Sequence, residues 1–205
     1  MYVYKDMAEQ VMQRLKDELF QNLLDKFDLL ATLENENDWG FVIKSHAMIE
    51  AATTEMIVNF LGNTNLTKVI ERLPLSDSQY GKLAIAKSLN LLSDNERNFA
   101  RSYSELRNQL VHKVENLNFN FGSYFQNMTK DKRNSWINTV CWFCLDDKTR
   151  RAWKQIATKF PRQALFMAMF EYLSMCLVAQ SGVKGEREIN LASELTMKSL
   201  LKPNA

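Results

Sequence analysis

Arg107, Asn108 and His112 are the residues of this chain best equipped for chemistry. They stand in the string Arg107-Asn108-Gln109-Leu110-Val111-His112, and His112 is one of two histidines in 205 residues. A guanidinium is a planar fork of donors that fits a phosphate. An imidazole is the side chain that gains or loses a proton near neutral pH. An amide between them can orient either partner. Together they are what a protein needs to hold a phosphate and move a proton beside it.

Other sets are weaker. Cys141-Trp142-Phe143-Cys144 has C-x-x-C spacing, but thioredoxin-like redox chemistry needs a preceding strand and a βαβ context that the sequence lacks. The two cysteines are expected to line one face of a core helix. A zinc site would need two more ligands, and Cys176, His46 and His112 are distant in sequence. His46 and Glu50 form an i, i+4 pair; His46 is either a structural histidine or a second contributor to the same cleft. Glu50 and Glu55 are candidate anchors for Arg107. Trp136, Trp142 and Trp153 interleave with basic residues, as nucleic-acid stacking platforms do and as amphipathic core helices also do. No Gly-rich phosphate loop, H-E-x-x-H or G-x-S-x-G occurs, so neither metal nor cofactor is expected.

The elements that must position these residues read as helices. Six Gly and three Pro are few breakers for this length. Apolar positions Val11, Leu15, Leu19, Leu23, Phe27 and Leu30 predict a long helix over 3–33. Asp38 caps a second, running to about Leu61 and stopped by Gly62. A short helix follows over 66–73. The pattern Ser76-Asp77-Ser78-Gln79 has capping-box form and predicts a helix over 79–92; Ser93-Asp94-Asn95-Glu96 repeats it and opens the motif helix, expected over 94–117. Residues 116–122 read as loop. Further helices are expected over 131–144 and 148–158. Pro161 opens a last long helix ending near Gly182, with a terminal helix over 187–201.

In the motif helix the stripe Phe99, Tyr103, Leu106, Leu110, Val114 and Leu117 marks one buried face. At about 100° per residue, Asn108 and His112 sit about 160° from Leu110, on the polar side with Arg101, Ser104 and Glu105. Arg107 lies on its shoulder, about 7.5 Å along the axis from His112. A lone helix would present this set to open water, where phosphate contacts are weak. A second copy packed about a two-fold axis would cover it with no new sequence.

The segment Ser104-Glu105-Leu106-Arg107-Asn108-Gln109-Leu110-Val111-His112 resembles the signature of HEPN domains: an arginine, a polar residue directly after it, and a histidine after four to six intervening residues. Glu36-Asn37-Asp38-Trp39-Gly40, Ala47-Met48-Ile49-Glu50 and Lys82-Leu83-Ala84-Ile85-Ala86-Lys87-Ser88-Leu89-Asn90-Leu91-Leu92 are similar to a HEPN-related group that includes the mannitol-operon repressor family. The likeness covers roughly residues 30–125.

It implies an all-α, HEPN-like helical bundle with additional C-terminal helices. The single domain would span 1–205, its core about 30–125 and its extension about 126–205. It implies a metal-independent endoribonuclease of toxin–antitoxin or phage-defence type, acting as a homodimer on RNA and leaving a 2′,3′-cyclic phosphate. Arg107 would hold the scissile phosphate, His112 would act as general base or acid, and Asn108 would orient one of them. An antitoxin or other protein partner is also implied. The alternatives are a non-catalytic regulator like the mannitol-operon repressor family, transcription-linked but without an evident helix-turn-helix, and a scaffold that docks an acidic protein through its basic helices.

Charge is unevenly spread although the net is +2. Residues 1–40 carry four bases and nine acids, whereas residues 130–162 carry nine bases and three acids. The two regions are either helix faces of opposite sign or, for the later one, a phosphate-attracting surface. Three cysteines without paired spacing point to reduced thiols in a cytoplasm, and the start shows no signal-peptide layout. The apolar run 164–179 is shorter than the ~20 residues of a membrane span and reads as a core helix, so no membrane is expected.

Overall fold

The computed structural model describes residues 3–201; residues 1–2 and 202–205 of the expected domain lie outside it. Among the described residues there are nine α-helices and no strand: α1 (Lys5–Ala31), α2 (Asp38–Leu61), α3 (Thr67–Glu71), α4 (Lys82–Ser88), α5 (Asp94–Val111), α6 (Phe121–Gln126), α7 (Lys130–Val140), α8 (Asp147–Lys159) and α9 (Pro161–Leu200). The expected all-α class is what forms.

The core is the seam of α2, α5 and α9. Ile49, Ile57, Phe99, Ala168, Met169 and Tyr172 are almost wholly buried there. Thr53 of α2 and Tyr172 of α9 share a hydroxyl hydrogen bond of 2.8 Å, and Ser45 of α2 bonds Tyr103 of α5. Matched residue pairs show α2 and α9 running parallel and α5 antiparallel to α2. The C-terminal end of α5 therefore lies at the N-terminal end of α2, where Trp39 Nε1 reaches Leu110 O at 3.5 Å.

The ends of the elements explain where the sequence pattern misled. Helix α2 stops as expected at Gly62, whose φ of 68° is left-handed and whose N–H donates to Val58 O at 3.0 Å. The capping box at Ser76–Gln79 does not form. Asp77 Oδ1 instead accepts from Gln79 N at 2.9 Å and Tyr80 N at 2.7 Å, so α4 starts only at Lys82. It also ends early, because Asn90 turns left-handed (φ 54°) and lets Leu91 N close on Ala86 O at 2.9 Å.

The capping box at Ser93 and Glu96 does form. The far end of α5 is a correction: the helix ends at Val111, not near Leu117. Val114 and Leu117 are 78% and 50% exposed, so the last two members of the apolar stripe find no core. The segment 116–122 is likewise not all loop, since a 3-10 turn (Val114–Asn118) leads into α6.

A second correction concerns α9, which runs unbroken through Gly182 where a stop and a separate terminal helix were expected. Its glycines keep helical φ, and α1 braces it laterally: Arg14 pairs with Glu188 and Glu18 with Lys184. By length and composition α9 is the one helix among the described residues able to cross a membrane. Its first half is packed in the bundle, with Ala164, Leu165, Leu173 and Cys176 buried.

Candidate functional site

Arg107 and Asn108 are brought together: Arg107 Nη1 donates to Asn108 Oδ1 at 3.1 Å. Arg107 is half-buried on the flank of α5 that meets α2, while Asn108 is exposed. His112 is placed differently from the expectation of a mid-helix residue. It is the C-cap of α5 (φ −89°, ψ −4°) and is exposed. Within one chain no hydrogen bond joins it to Arg107 or Asn108 among the described residues.

The position of His112 is set by the way α5 ends. The amide of Asn116 turns back and donates to Gln109 O at 2.8 Å and Leu110 O at 3.4 Å, satisfying carbonyls that the helix leaves orphaned. Trp39 serves the same carbonyl group from the α2 side. The imidazole thus projects from a capped terminus rather than from a fraying one.

Beneath Arg107 lies a buried polar seam that the sequence shows only as the pair His46 and Glu50. His46 is 7% exposed, and its Nε2 stands 2.8 Å from Ser104 Oγ. Ser104, expected on the polar outer side, is buried here. Glu50 does not anchor Arg107. It pairs with Lys82, Nζ to Oε1 2.7 Å, and Lys82 is 2% exposed with a further bond to Glu71 O at 3.2 Å. Arg107 makes no ion pair with either Glu50 or Glu55 among the described residues, so its guanidinium keeps an uncompensated charge.

Burial pushes the His46 pKa below the ordinary histidine value. Glu50 works against that shift, and Arg107 and Lys82 add to it. The consequence for stability has a definite sign. Above the unfolded-state pKa of about 6.5 both states hold His46 neutral and nothing is lost. As pH falls below that value the unfolded chain takes up the proton first, so stability falls, by at most about 1.4 kcal/mol per pH unit for one group. Thermal unfolding between pH 7.5 and 5.5 should be shallower in His46→Gln than in the wild type. Equal slopes would show that His46 titrates alike folded and unfolded.

The surroundings of the cysteine pair disfavour thiolate chemistry. Cys141 and Cys144 are buried at a turn after α7, where Cys144 N donates to Cys141 O at 3.2 Å, rather than along one helix face as expected. Burial, with Cys144 next to it, pushes the Cys141 thiol up to about 11, which leaves little thiolate for attack or ligation.

Three cations of the basic stretch are occupied structurally: Arg133 donates to Gln126 O, Arg150 to Cys144 O, and Arg162 to Leu33 O. Trp142 and Trp153 pack inward on Phe143. Trp136 borders an open groove formed with α5. No protein-family model, curated protein or solved structure matches the chain.

Proposed function

We propose that the chain is a metal-independent endoribonuclease of the HEPN type, working as a homodimer with Arg107, Asn108 and His112 at its cleft. The observation that carries this reading is the state of Arg107. It is half-buried, bound only to the neighbouring Asn108, and has no carboxylate partner among the described residues, although Glu50 lies on the adjoining helix. Lys82 takes up Glu50 and leaves the guanidinium to an outside anion.

On one chain that anion would sit at the water boundary, where opposite unit charges 4 Å apart gain about 1 kcal/mol. In a covered cleft the same pair gains about 4 kcal/mol. A two-fold copy supplies the cover and a second Arg–His set. One neutral His112 takes the ribose 2′-hydroxyl proton as that oxygen bonds to phosphorus. The bond to the leaving 5′-oxygen breaks, and the protonated imidazole of the other copy returns a proton to it. The products are a 2′,3′-cyclic phosphate and a 5′-hydroxyl. Incubation of the purified chain with RNA and a chelator tests this: cleavage with cyclic phosphate ends is expected, and intact RNA would reject it.

A second reading, a non-catalytic regulator that acts through a protein partner, is favoured by one feature elsewhere. An apolar trough of about 390 Å³ runs between α1 and α9, lined by Met12, Leu19, Val178 and Ile189. Gly182 also lines it, and an added Cβ there would meet nothing within 4 Å. Nothing inside the chain requires glycine there, and in a helix it costs about 1 kcal/mol relative to alanine. Gly182→Ala is expected to stabilise the isolated chain by about that amount in thermal unfolding. A loss of stability would show the trough to be closed by the chain itself.

A further inference from the structure

We propose that the groove between α5 and the α6–α7 segment holds a base of single-stranded RNA beside His112, with a preference for bases that carry an amino group. The inference rests on the ribonuclease reading and gives that site its substrate contacts.

The groove has a volume of about 470 Å³, within the range of small-ligand sites. Glu105 and Gln109 form its α5 wall; Tyr124, Asn127, Lys132 and Trp136 close the other side. Each part has a chemical counterpart in a nucleotide. The half-buried Trp136 ring is backed edge-on by Phe125, centroids 5.4 Å apart, so it is held in place as a stacking surface. The exposed amides of Gln109 and Asn127 each offer a donor and an acceptor, and neither side chain is bonded within the chain among the described residues. Lys132 has no carboxylate partner among the described residues and supplies the one cation of the groove.

The register places the groove beside Asn108 and His112, while Arg107 stands about 160° round α5 from Glu105 and Gln109, on the α2 flank. Gln109 precedes His112 by three residues and Glu105 precedes Asn108 by three, so each wall residue neighbours a site residue on the helix surface. Glu105 sets the preference. A carboxylate accepts from the exocyclic amino groups of cytosine, adenine or guanine and repels phosphate oxygens. Uracil has no amino group to give it.

The test uses the full chain carrying His112→Ala, so that binding is read without cleavage. Fluorescence anisotropy with labelled oligo(C) and oligo(U) RNA is the measurement. Oligo(C) is expected to bind more tightly than oligo(U), and Trp136→Leu to weaken oligo(C) binding about tenfold. Trp136 is half-buried, so Glu105→Ala, an exposed change, provides an independent arm expected to erase the C-over-U preference. An unchanged C-over-U preference in Glu105→Ala, with Trp136→Leu folded and binding normally, would overturn the groove. If the same groove substitutions, made in the chain that keeps His112, leave RNA cleavage at the parent level, only the groove has failed. If the parent chain cuts no RNA, the ribonuclease reading falls instead. Binding of acidic peptides but of no RNA by the His112→Ala chain overturns the proposal in favour of a protein ligand.

Discussion

Arg107→Ala and His112→Ala are each expected to lower RNA cleavage by at least about a hundredfold, while unfolding free energy moves by no more than about 0.5 kcal/mol. The two halves of that statement have separate grounds. A positioned acid or base contributes about 10²–10⁴ in rate, and one preorganised donor on developing charge about 10²–10³. Neither side chain supports the fold: among the described residues His112 is exposed with no side-chain hydrogen bond, and Arg107 bonds only Asn108. Arg107→Lys separates charge from shape. Lysine keeps the cation but loses the fork, so most of the activity should still be lost. Asn108→Ala frees Arg107 without removing it and should cost less than either loss. The measurement is single-turnover cleavage at saturating enzyme, beside thermal unfolding of each variant. Cleavage that survives both alanine substitutions would remove these residues from the chemistry and return the chain to the regulatory reading.

How much of this site was legible in the sequence follows from what local rules can see. The motif and its helix were legible, because Ser93–Glu96 is a capping box that forms and Phe99, Tyr103, Leu106 and Leu110 are all buried as their spacing requires. The helix end was not. Val114 and Leu117 continue the period in print, but a period says nothing of whether a core exists opposite them, and here the cap made by Asn116 decides. The same holds for Gly182, which looks like a stop until α1 is known to brace α9 beyond it, through Lys184 and Glu188.

The polar seam under Arg107 was half visible. His46 and Glu50 share a helix face by spacing. Lys82 and Ser104 reach them from α4 and α5, and no spacing rule connects those helices. A lysine that is 2% exposed carries one sequence signal only, its place amid Leu83, Ala84 and Ala86 in a short apolar turn. The basic stretch shows the opposite error. It reads as one surface, yet Arg133, Arg150 and Arg162 spend their donors on backbone carbonyls, which leaves Lys132 as the cation that lines the groove.

The largest effect on stability is expected from Arg162→Ala. Arg162 opens α9 and donates to Asp38 Oδ1 at 2.8 Å, Leu33 O at 2.9 Å, Glu36 O at 2.8 Å and Glu34 O at 3.1 Å. Its guanidinium also lies 5.0 Å from the Phe41 ring centroid. The other Asp38 oxygen accepts from Phe121 N at 2.7 Å, so one ion pair ties the starts of α2, α6 and α9 together. Three of these acceptors are carbonyls of the 3-10 turn between α1 and α2, where Leu33 O also accepts from Glu36 N at 3.2 Å.

Removing the arginine leaves the mostly buried Asp38 carboxylate without its cation and the carbonyls of Glu34 and Glu36 without a side-chain donor, a loss of about 3–5 kcal/mol. For a domain of this length that lowers the Tm by about 10 °C. Arg162→Lys can restore the pair with Asp38 but not the simultaneous reach to the turn, so it should recover less than half. Asp38→Asn combined with Arg162→Ala should cost less than the sum of the two, because each single change strands the other's partner.

A fall of under 1 kcal/mol in Arg162→Ala would show that water replaces these contacts freely. Trp39 follows Asp38 directly and reaches the carboxyl end of α5, so the knot also bears on the site. Well below its Tm, Arg162→Ala should still cut RNA, since nothing in the knot touches Arg107 or His112. Loss of cleavage in a variant still folded at that temperature would mean that the start of α2 holds the end of α5 in its working position.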